Sequence, residues 1–411
     1  MKKNTLLIFC DMVRGNLLSF TNKNIKENNF ERFLRSLDGV LYINSYTPAP
    51  DTGRGYAMLQ TGLTCKKNGC DDVWKYPKFF LKEDLETLDQ VLLENNINTK
   101  YLVTKRNDLA GIFDKKVKNK ILVDFTTMTY EKGFDLLKKD LDTFDKNFFF
   151  VGFDDYHVAT DDYGACMKSD IVGKEKLFNI LDIFFKKLPK EIFDEIIIVS
   201  DHGNTHQYGF KDERVLDLLN DDRTKILLYR WIKGNNRFLL NNELRSILDV
   251  YPTILDSFSI KKIEKLDGIS LNEKELENRM IVMESYSKFL HLAPLDLWGI
   301  RDKHHLYLTN LEFKKMYEID NLKIKESEID LKLEELYIKK LEEESVNYKL
   351  KSLEKESIIR YYEVLNYIYM YSDNSKRKIY NLERIKSIKM NRIPYYFSVI
   401  LSKILNRIRK K

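Results

Sequence analysis

The sequence predicts an α/β fold with a central, mostly parallel sheet flanked by helices and a C-terminal helical extension. Three observations carry this expectation. From Thr5 to about Tyr307, short apolar runs alternate with charged stretches at helical spacing, the pattern of strands joined by crossover helices. Several runs end at a polar residue able to serve a site, and open α/β sheets collect ligands beyond the carboxyl ends of their strands. After roughly Glu312, glycine disappears and Lys, Glu, Leu and Ile dominate, which marks a different kind of structure.

In chain order the strand candidates are Leu6–Phe9, Val40–Ile43, Tyr101–Val103, Ile121–Val123, Phe148–Val151, Ile196–Val199 and Ile226–Tyr229. Asp11, Asp154 and Asp201 then fall just past strand ends, around one shared cleft. The stretch from Lys323 to Leu365 reads as helix, with Ile329, Leu333, Leu336 and Leu341 keeping an apolar stripe. A helical hairpin or short coiled coil fits it, and with that a surface for a partner or a homo-oligomer. Past Ser372-Asp373-Asn374-Ser375 comes a basic tail, with Phe397, Ile400, Leu401, Ile404, Leu405 and Ile408 on one helical face. Residues 394–411 therefore suit either an anionic membrane surface or docking on the body. Aromatic residues are not interleaved with the basic ones, which argues against nucleic acid. The expected division is an α/β metalloenzyme domain over residues 1–311, a charged helical arm over 312–374 and a basic amphipathic tail over 375–411.

A chain of 411 residues with 43% hydrophobic content can bury a substantial core, so it is globular rather than disordered. The net charge of +6 is uneven, because Ser375 to Lys411 holds twelve Lys or Arg against one acid, Glu383. The body is close to neutral, and the basic end points to phosphates. The apolar run before Cys10-Asp11 is too short for a signal segment, and no apolar stretch reaches the roughly 18 residues that span a bilayer. Cys10, Cys65, Cys70 and Cys166 lack paired spacing and read as reduced thiols. The expected location is the cytoplasm, peripheral on the inner face of the membrane if the tail binds lipid.

The chemistry is concentrated in three places. Thr52, in Asn44-Ser45-Tyr46-Thr47-Pro48-Ala49-Pro50-Asp51-Thr52-Gly53-Arg54-Gly55, puts a lone hydroxyl on a tight turn entering an apolar helical pattern. Asp11 follows the first strand, and Asp201-His202-Gly203 follows Ile196–Val199. A Thr hydroxyl is a poor nucleophile at neutral pH unless a base or metal lowers its effective pKa. Asp11, Asp201 and His202 are the right ligand types for a divalent cation, with Thr52 as fourth ligand and attacking group. Gly203 eases the sharp turn that lets adjacent Asp201 and His202 converge.

These motifs, in this order, resemble the sulfatase-like branch of the alkaline phosphatase superfamily. Asp11-Met12-Val13-Arg14 resembles the opening metal-binding strand end with its Asp-x-x-Arg, Thr52 lies ten residues before Gly62 of Gln60-Thr61-Gly62, and Ser200-Asp201-His202-Gly203 is similar to the second ligand motif. Downstream, Leu248 to Asp256, Asp267-Gly268-Ile269-Ser270-Leu271, Arg279, Val282-Met283-Glu284, Trp298-Gly299-Ile300-Arg301 and Leu306-Tyr307-Leu308 follow the family's order. The resemblance covers about residues 4 to 310.

It implies a metal-dependent enzyme in which Thr52 is nucleophile and Asp11, Thr52, Asp201 and His202 hold the metal. His157, at the end of Phe148-Phe149-Phe150-Val151-Gly152-Phe153-Asp154-Asp155-Tyr156-His157, is similar to a substrate-facing histidine that protonates the leaving group. Asp154 or Asp155 with His157 and His206 form a candidate second metal or substrate site. An imidazole with carboxylates favours zinc or manganese over calcium or magnesium. Two departures matter. Sulfatases carry Cys or Ser at the nucleophile, matured to formylglycine, whereas Thr52 suits phosphoryl transfer through a phosphothreonine. Tyr56 stands where the family has Arg, leaving Arg54 as the expected anion clamp. By analogy, the implied substrate is a phosphorylated or glycan-linked precursor of the cell envelope, with sulfate-ester hydrolysis and a non-catalytic scaffold as the rival readings.

Overall fold

The computed structural model describes residues 2–70, 81–105, 117–164, 166–204, 219–261, 265–274, 276–285, 297–309, 314–320, 323–346 and 348. Along the chain the strands are β1 (Lys3–Cys10), β2 (Val40–Tyr42), β3 (Ser45–Tyr46), β4 (Asn98–Thr104), β5 (Lys120–Val123), β6 (Lys146–Phe153), β7 (Glu195–Val199), β8 (Leu228–Ile232), β9 (Leu239–Asn241), β10 (Arg245–Ser246), β11 (Ile281–Ser285), β12 (Leu297–Arg301), β13 (His305–Thr309), β14 (Lys314–Asp320) and β15 (Lys323–Ser327). The helices are α1 (Asn29–Ser36), α2 (Thr52–Thr61), α3 (Cys65–Asn68), α4 (Leu88–Glu94), α5 (Tyr130–Thr143), α6 (Asp155–Tyr163), α7 (Met167–Lys187), α8 (Asp221–Thr224), α9 (Val250–Ser257) and α10 (Leu331–Glu344).

The main sheet runs β5-β4-β6-β1-β7-β8-β2-β9. It is mostly parallel, with β8 antiparallel to both of its neighbours. Successive residues of β1 enter opposite cores: Leu6, Ile8 and Cys10 pack with α1, α5 and α7, while Leu7 and Phe9 pack with α2, α4 and α9. Strands buried on both faces read as unbroken apolar runs, which is why β1, β6 and β7 stood out, whereas β5 is an edge strand with Leu122 exposed. The eighth, β9, is an edge strand with Leu239 and Leu240 exposed. Β8 starts two residues later than its apolar run, because Ile226 is drawn aside into a bridge with Arg14 and donates its N–H to the Ser45 carbonyl.

A second sheet, β11-β12-β13-β14-β15, is an antiparallel meander. Its last strand corrects the helical reading at the start of the segment from Lys323. Β15 is an exposed edge strand of Lys-Ile-Lys-Glu-Ser, and charged side chains that protect a sheet edge look, in sequence, like a solvated helix face. The helix begins at Leu331, where the Asp330 side chain caps it. Tyr337 and Leu341 are buried on the second sheet with Ile329 and Leu333 against them, whereas Leu336 faces solvent. The second sheet is tied to the main body by the Glu284 N–H on the Pro48 carbonyl at 2.8 Å. Arg301 adds to this, stacked 3.7 Å over the Tyr46 ring with Nη1 2.7 Å from Asp221 Oδ1. The rest of the arm and the basic tail, with the membrane and oligomer expectations that rest on them, lie outside the described residues, as do His206 and His291. No disulfide links the four cysteines, and among the described residues no helix is long and apolar enough to cross a membrane.

Candidate active site

Β6, β1 and β7 are adjacent and parallel, with Cys10 opposite Phe153 and Phe9 opposite Val199. Their carboxyl ends therefore deliver Asp154, Asp11 and Asp201 to one rim. Thr52 arrives from the other direction as the first residue of α2, whose N-cap is Asp51. A helix N-terminus aims unsatisfied N–H groups and the positive end of its dipole at this spot, which favours anions.

Thr52 Oγ1 lies 3.2 Å from His202 Nε2 and 3.4 Å from Asp11 Oδ1. One ligand atom each from Asp11, Asp201 and His202 falls within 4.8 Å of the others, and all three residues are buried. Asp201 Oδ1 accepts the N–H groups of Met12 and His202, both at 2.9 Å. Met12 reaches it through a left-handed backbone, φ 65°, a costly conformation for a non-glycine residue, held here by the site it serves. Asp201 Oδ2 is buried and has no hydrogen-bond partner. His202 Nδ1 is 2.5 Å from the Gly203 carbonyl. A carbonyl only accepts, so Nδ1 carries a proton, and Nε2 is the nitrogen turned toward Thr52 and available as a ligand atom. Burial raises the Asp201 pKa to about 6, with His202 opposing the shift and Asp11 adding to it. An orphaned buried carboxylate oxygen, a second carboxylate and an imidazole nitrogen fit a divalent cation.

The close approach of α2 depends on Gly55. A Cβ there would stand 2.7 Å from the Asp201 Cβ. Gly55→Ala is expected to push the helix start away from the acids and lower turnover about 10²-fold, the scale of a misplacement near 1 Å. A crystal structure of the variant with Thr52 unmoved would overturn this. Gly203 is needed for the same kind of reason rather than for turn freedom: its Cβ would meet the Asp222 carbonyl at 2.1 Å, and its φ is not positive.

Several expected residues are placed differently. His157 sits in the first turn of α6, not at a strand end, and its Nδ1 is 3.0 Å from Asp11 Oδ2, with Nε2 3.6 Å from Asp161 Oδ1. Asp154 and Asp155 bond to separate hydroxyls, and the second site expected of them with His206 lies partly outside the described residues. Asp154 Oδ2 accepts the Thr104 hydroxyl at 2.9 Å, Asp155 Oδ2 accepts the Tyr130 hydroxyl at 3.3 Å, and among the described residues only the Asp11, Asp201 and His202 cluster forms. Burial, then the Asp154 charge, push Asp155 up to about 6. Arg54 does not serve as an exposed clamp, since it is 1% exposed and its Nε is bound to Asp51 Oδ2. Its helix turns it inward, where it ties the first turn of α2 to its cap. Tyr56 faces the core, 4.3 Å between centroids from Phe9.

Sequence reasoning missed Met12, Gly55 and Arg223. A glycine inside a helix costs roughly 1 kcal/mol against alanine, and that cost was the available signal for Gly55. Arg223 sits on the four-residue α8 and donates from Nη2 to the Pro50 carbonyl at 2.9 Å.

The fold, with acidic residues at the carboxyl ends of β6, β1 and β7, is similar to the α/β fold of solved sulfatases and of a protein in the alkaline phosphatase superfamily. The structure is similar to a 2-O GAG sulfatase, with a TM-score of 0.62 at 14% identity over 86% of this chain and 93% of that one. It is similar to a protein in the alkaline phosphatase superfamily from Vibrio parahaemolyticus, TM-score 0.60 at 14% identity over 83% and 87%. A phosphonate monoester hydrolase of Agrobacterium radiobacter gives 0.54 at 14% identity over 83% and 94%. No protein-family model and no curated protein matches the sequence.

Proposed function

We propose that the protein is a metal-dependent phosphoester hydrolase or transferase with Thr52 as nucleophile. The observation that carries this reading is the Thr52 hydroxyl at a helix start, 3.2 Å from His202 Nε2 and 3.4 Å from an Asp11 carboxylate oxygen. Asp11, Asp201 and His202 would hold a divalent cation, zinc or manganese by donor type, with Thr52 facing it. When bound, such a cation lowers the pKa of a nearby hydroxyl and offsets charge on the phosphoryl oxygens.

Thr52 Oγ gives up its proton to solvent water and attacks phosphorus, the P–O bond to the leaving alkoxide breaks, and that oxygen takes a proton from solvent. The phosphothreonine is then attacked by water or an acceptor hydroxyl, and Thr52 Oγ departs and is reprotonated. His157 supplies order rather than a proton in this reading, because its Nδ1 is engaged with Asp11. The Thr52 β-carbon bears a methyl, so oxidation there gives a ketone, not the aldehyde of formylglycine, and this favours phosphoryl over sulfuryl esters. A glycan-bearing or lipid-linked phosphoester is the substrate class we favour, in keeping with the likeness to a 2-O GAG sulfatase.

The test is metal analysis together with turnover of an aryl phosphodiester and mass spectrometry of the quenched reaction. Bound zinc or manganese, turnover and phosphate on Thr52 are expected. Sulfate-ester turnover without phosphodiester turnover would replace the reading with a sulfatase, and neither activity would favour the scaffold.

A further inference from the structure

Arg223 touches both halves of the site. Its carbonyl accepts the Gly203 N–H at 2.8 Å, directly after His202, and its guanidinium donates to the Pro50 carbonyl at 2.9 Å, two residues before Thr52. The carboxylate between them is already committed: Asp51 Oδ1 accepts the Arg54 N–H at 3.1 Å and Oδ2 takes the Arg54 Nε. Among the described residues Arg223 forms no ion pair, and its side chain is partly exposed. Burial lowers its pKa to about 10, against Asp51 and helped by the adjacent Arg54 charge.

A guanidinium has five N–H donors in a flat fork, and a single carbonyl satisfies one of them. Arg223 thus offers a partly exposed fork with donors to spare beside the Pro50 carbonyl, two residues before Thr52, and such a fork fits the oxygens of a phosphate bidentately. Arg54 is less suited to this part, because it is 1% exposed and its Nε is paired with Asp51, which leaves a buried Nη1 as its donor without a partner.

We propose that Arg223, not Arg54, binds the oxyanion of the group being transferred. This rests on the ester-transfer reading above and names the residue that holds the substrate's anionic group. In that role Arg223 binds nonbridging oxygens in the ground state and keeps them as charge builds during attack by Thr52, so its loss affects both KM and kcat.

The probes are inorganic phosphate and inorganic sulfate, titrated by calorimetry into the metal-loaded protein, which needs no turnover. For Arg223→Gln the expected result is a phosphate Kd raised at least about 10-fold, with metal content and Tm near wild type. Arg223→Lys should fall between the two, since it keeps the charge and loses the fork. Arg54→Gln should instead lower Tm, because it strips one partner from a buried ion pair and leaves the other unpaired. Unchanged phosphate affinity in Arg223→Gln would overturn the inference, even if aryl phosphodiester turnover upheld the transfer reading. Arg223-dependent binding in a protein without phosphodiester turnover would sustain the inference and remove that reading. Arg223-dependent binding that prefers sulfate would sustain the residue's role and assign it to a sulfuryl ester.

Discussion

Thr52→Ala should lower phosphodiester turnover by at least about 10³-fold while metal content and thermal stability stay near wild type. The reasoning starts from which atoms do what. Asp11, Asp201 and His202 keep their ligand atoms without Thr52, so the cation site survives as a three-residue set. The start of α2 also survives, because its cap is the Asp51 side chain on the Arg54 N–H, not Thr52. What disappears is the one hydroxyl in reach of both His202 Nε2 and the Asp11 carboxylate. Thr52→Ser keeps that hydroxyl and should keep covalent labelling, at a rate set by the extra rotamer freedom the lost methyl allows. A Thr52→Ala protein with wild-type turnover would show that water attacks directly and that Thr52 is at most a ligand.

The acids and the hydroxyl were legible because each follows or opens a strongly patterned element. Leu6–Phe9 and Ile196–Val199 are uninterrupted apolar runs, so the polar residue that ends each one stands out, and parallel pairing of β6, β1 and β7 gathers those ends. The second sheet was less legible. Β14 owes its conformation to pairing with β13, from Thr309 opposite Lys314 to His305 opposite Glu318, and β15 to pairing with β14, and such pairing leaves no period in an edge strand rich in Lys and Glu. Side-chain direction was the other blind spot. Arg54 and Thr52 are two residues apart on a helix, about 200° around its axis, so one facing the site sends the other into the protein. Sequence spacing alone assigned both to the cleft. Arg223 was invisible for the opposite reason: nothing near it in the chain carries chemistry, and its role comes from Gly203 and Pro50 being brought to it by the fold.

Asp201 should make the metal-free protein less stable than a variant that cannot bind metal. Its carboxylate is fully buried, one oxygen has no hydrogen-bond partner, and burial raises its pKa to about 6. A folded-state pKa above the unfolded value means the native protein binds more protons between the two, so stability falls as pH rises from about 4 to about 6. The size is on the order of 2–3 kcal/mol for a shift of about two units. In Asp201→Asn, Oδ1 can still accept from Met12 and His202, and the amide nitrogen replaces an oxygen 3.5 Å from His202 Nε2, where it can donate to that nitrogen. The buried charge is gone and the new polar atom is satisfied. After chelation, Asp201→Asn is therefore expected to unfold at higher denaturant than wild type at pH 7, with the gap closing toward pH 4. Asp155 is also pushed up to about 6, and the difference between the two proteins removes its contribution. Adding zinc or manganese should reverse the order, because only wild type gains the binding free energy, RT ln(1 + [L]/Kd). Equal stabilities after chelation across pH 4–7 would mean that Asp201 is already neutral or solvated in the folded protein, and the site would then lack the buried negative charge on which cation binding and activation of Thr52 both depend.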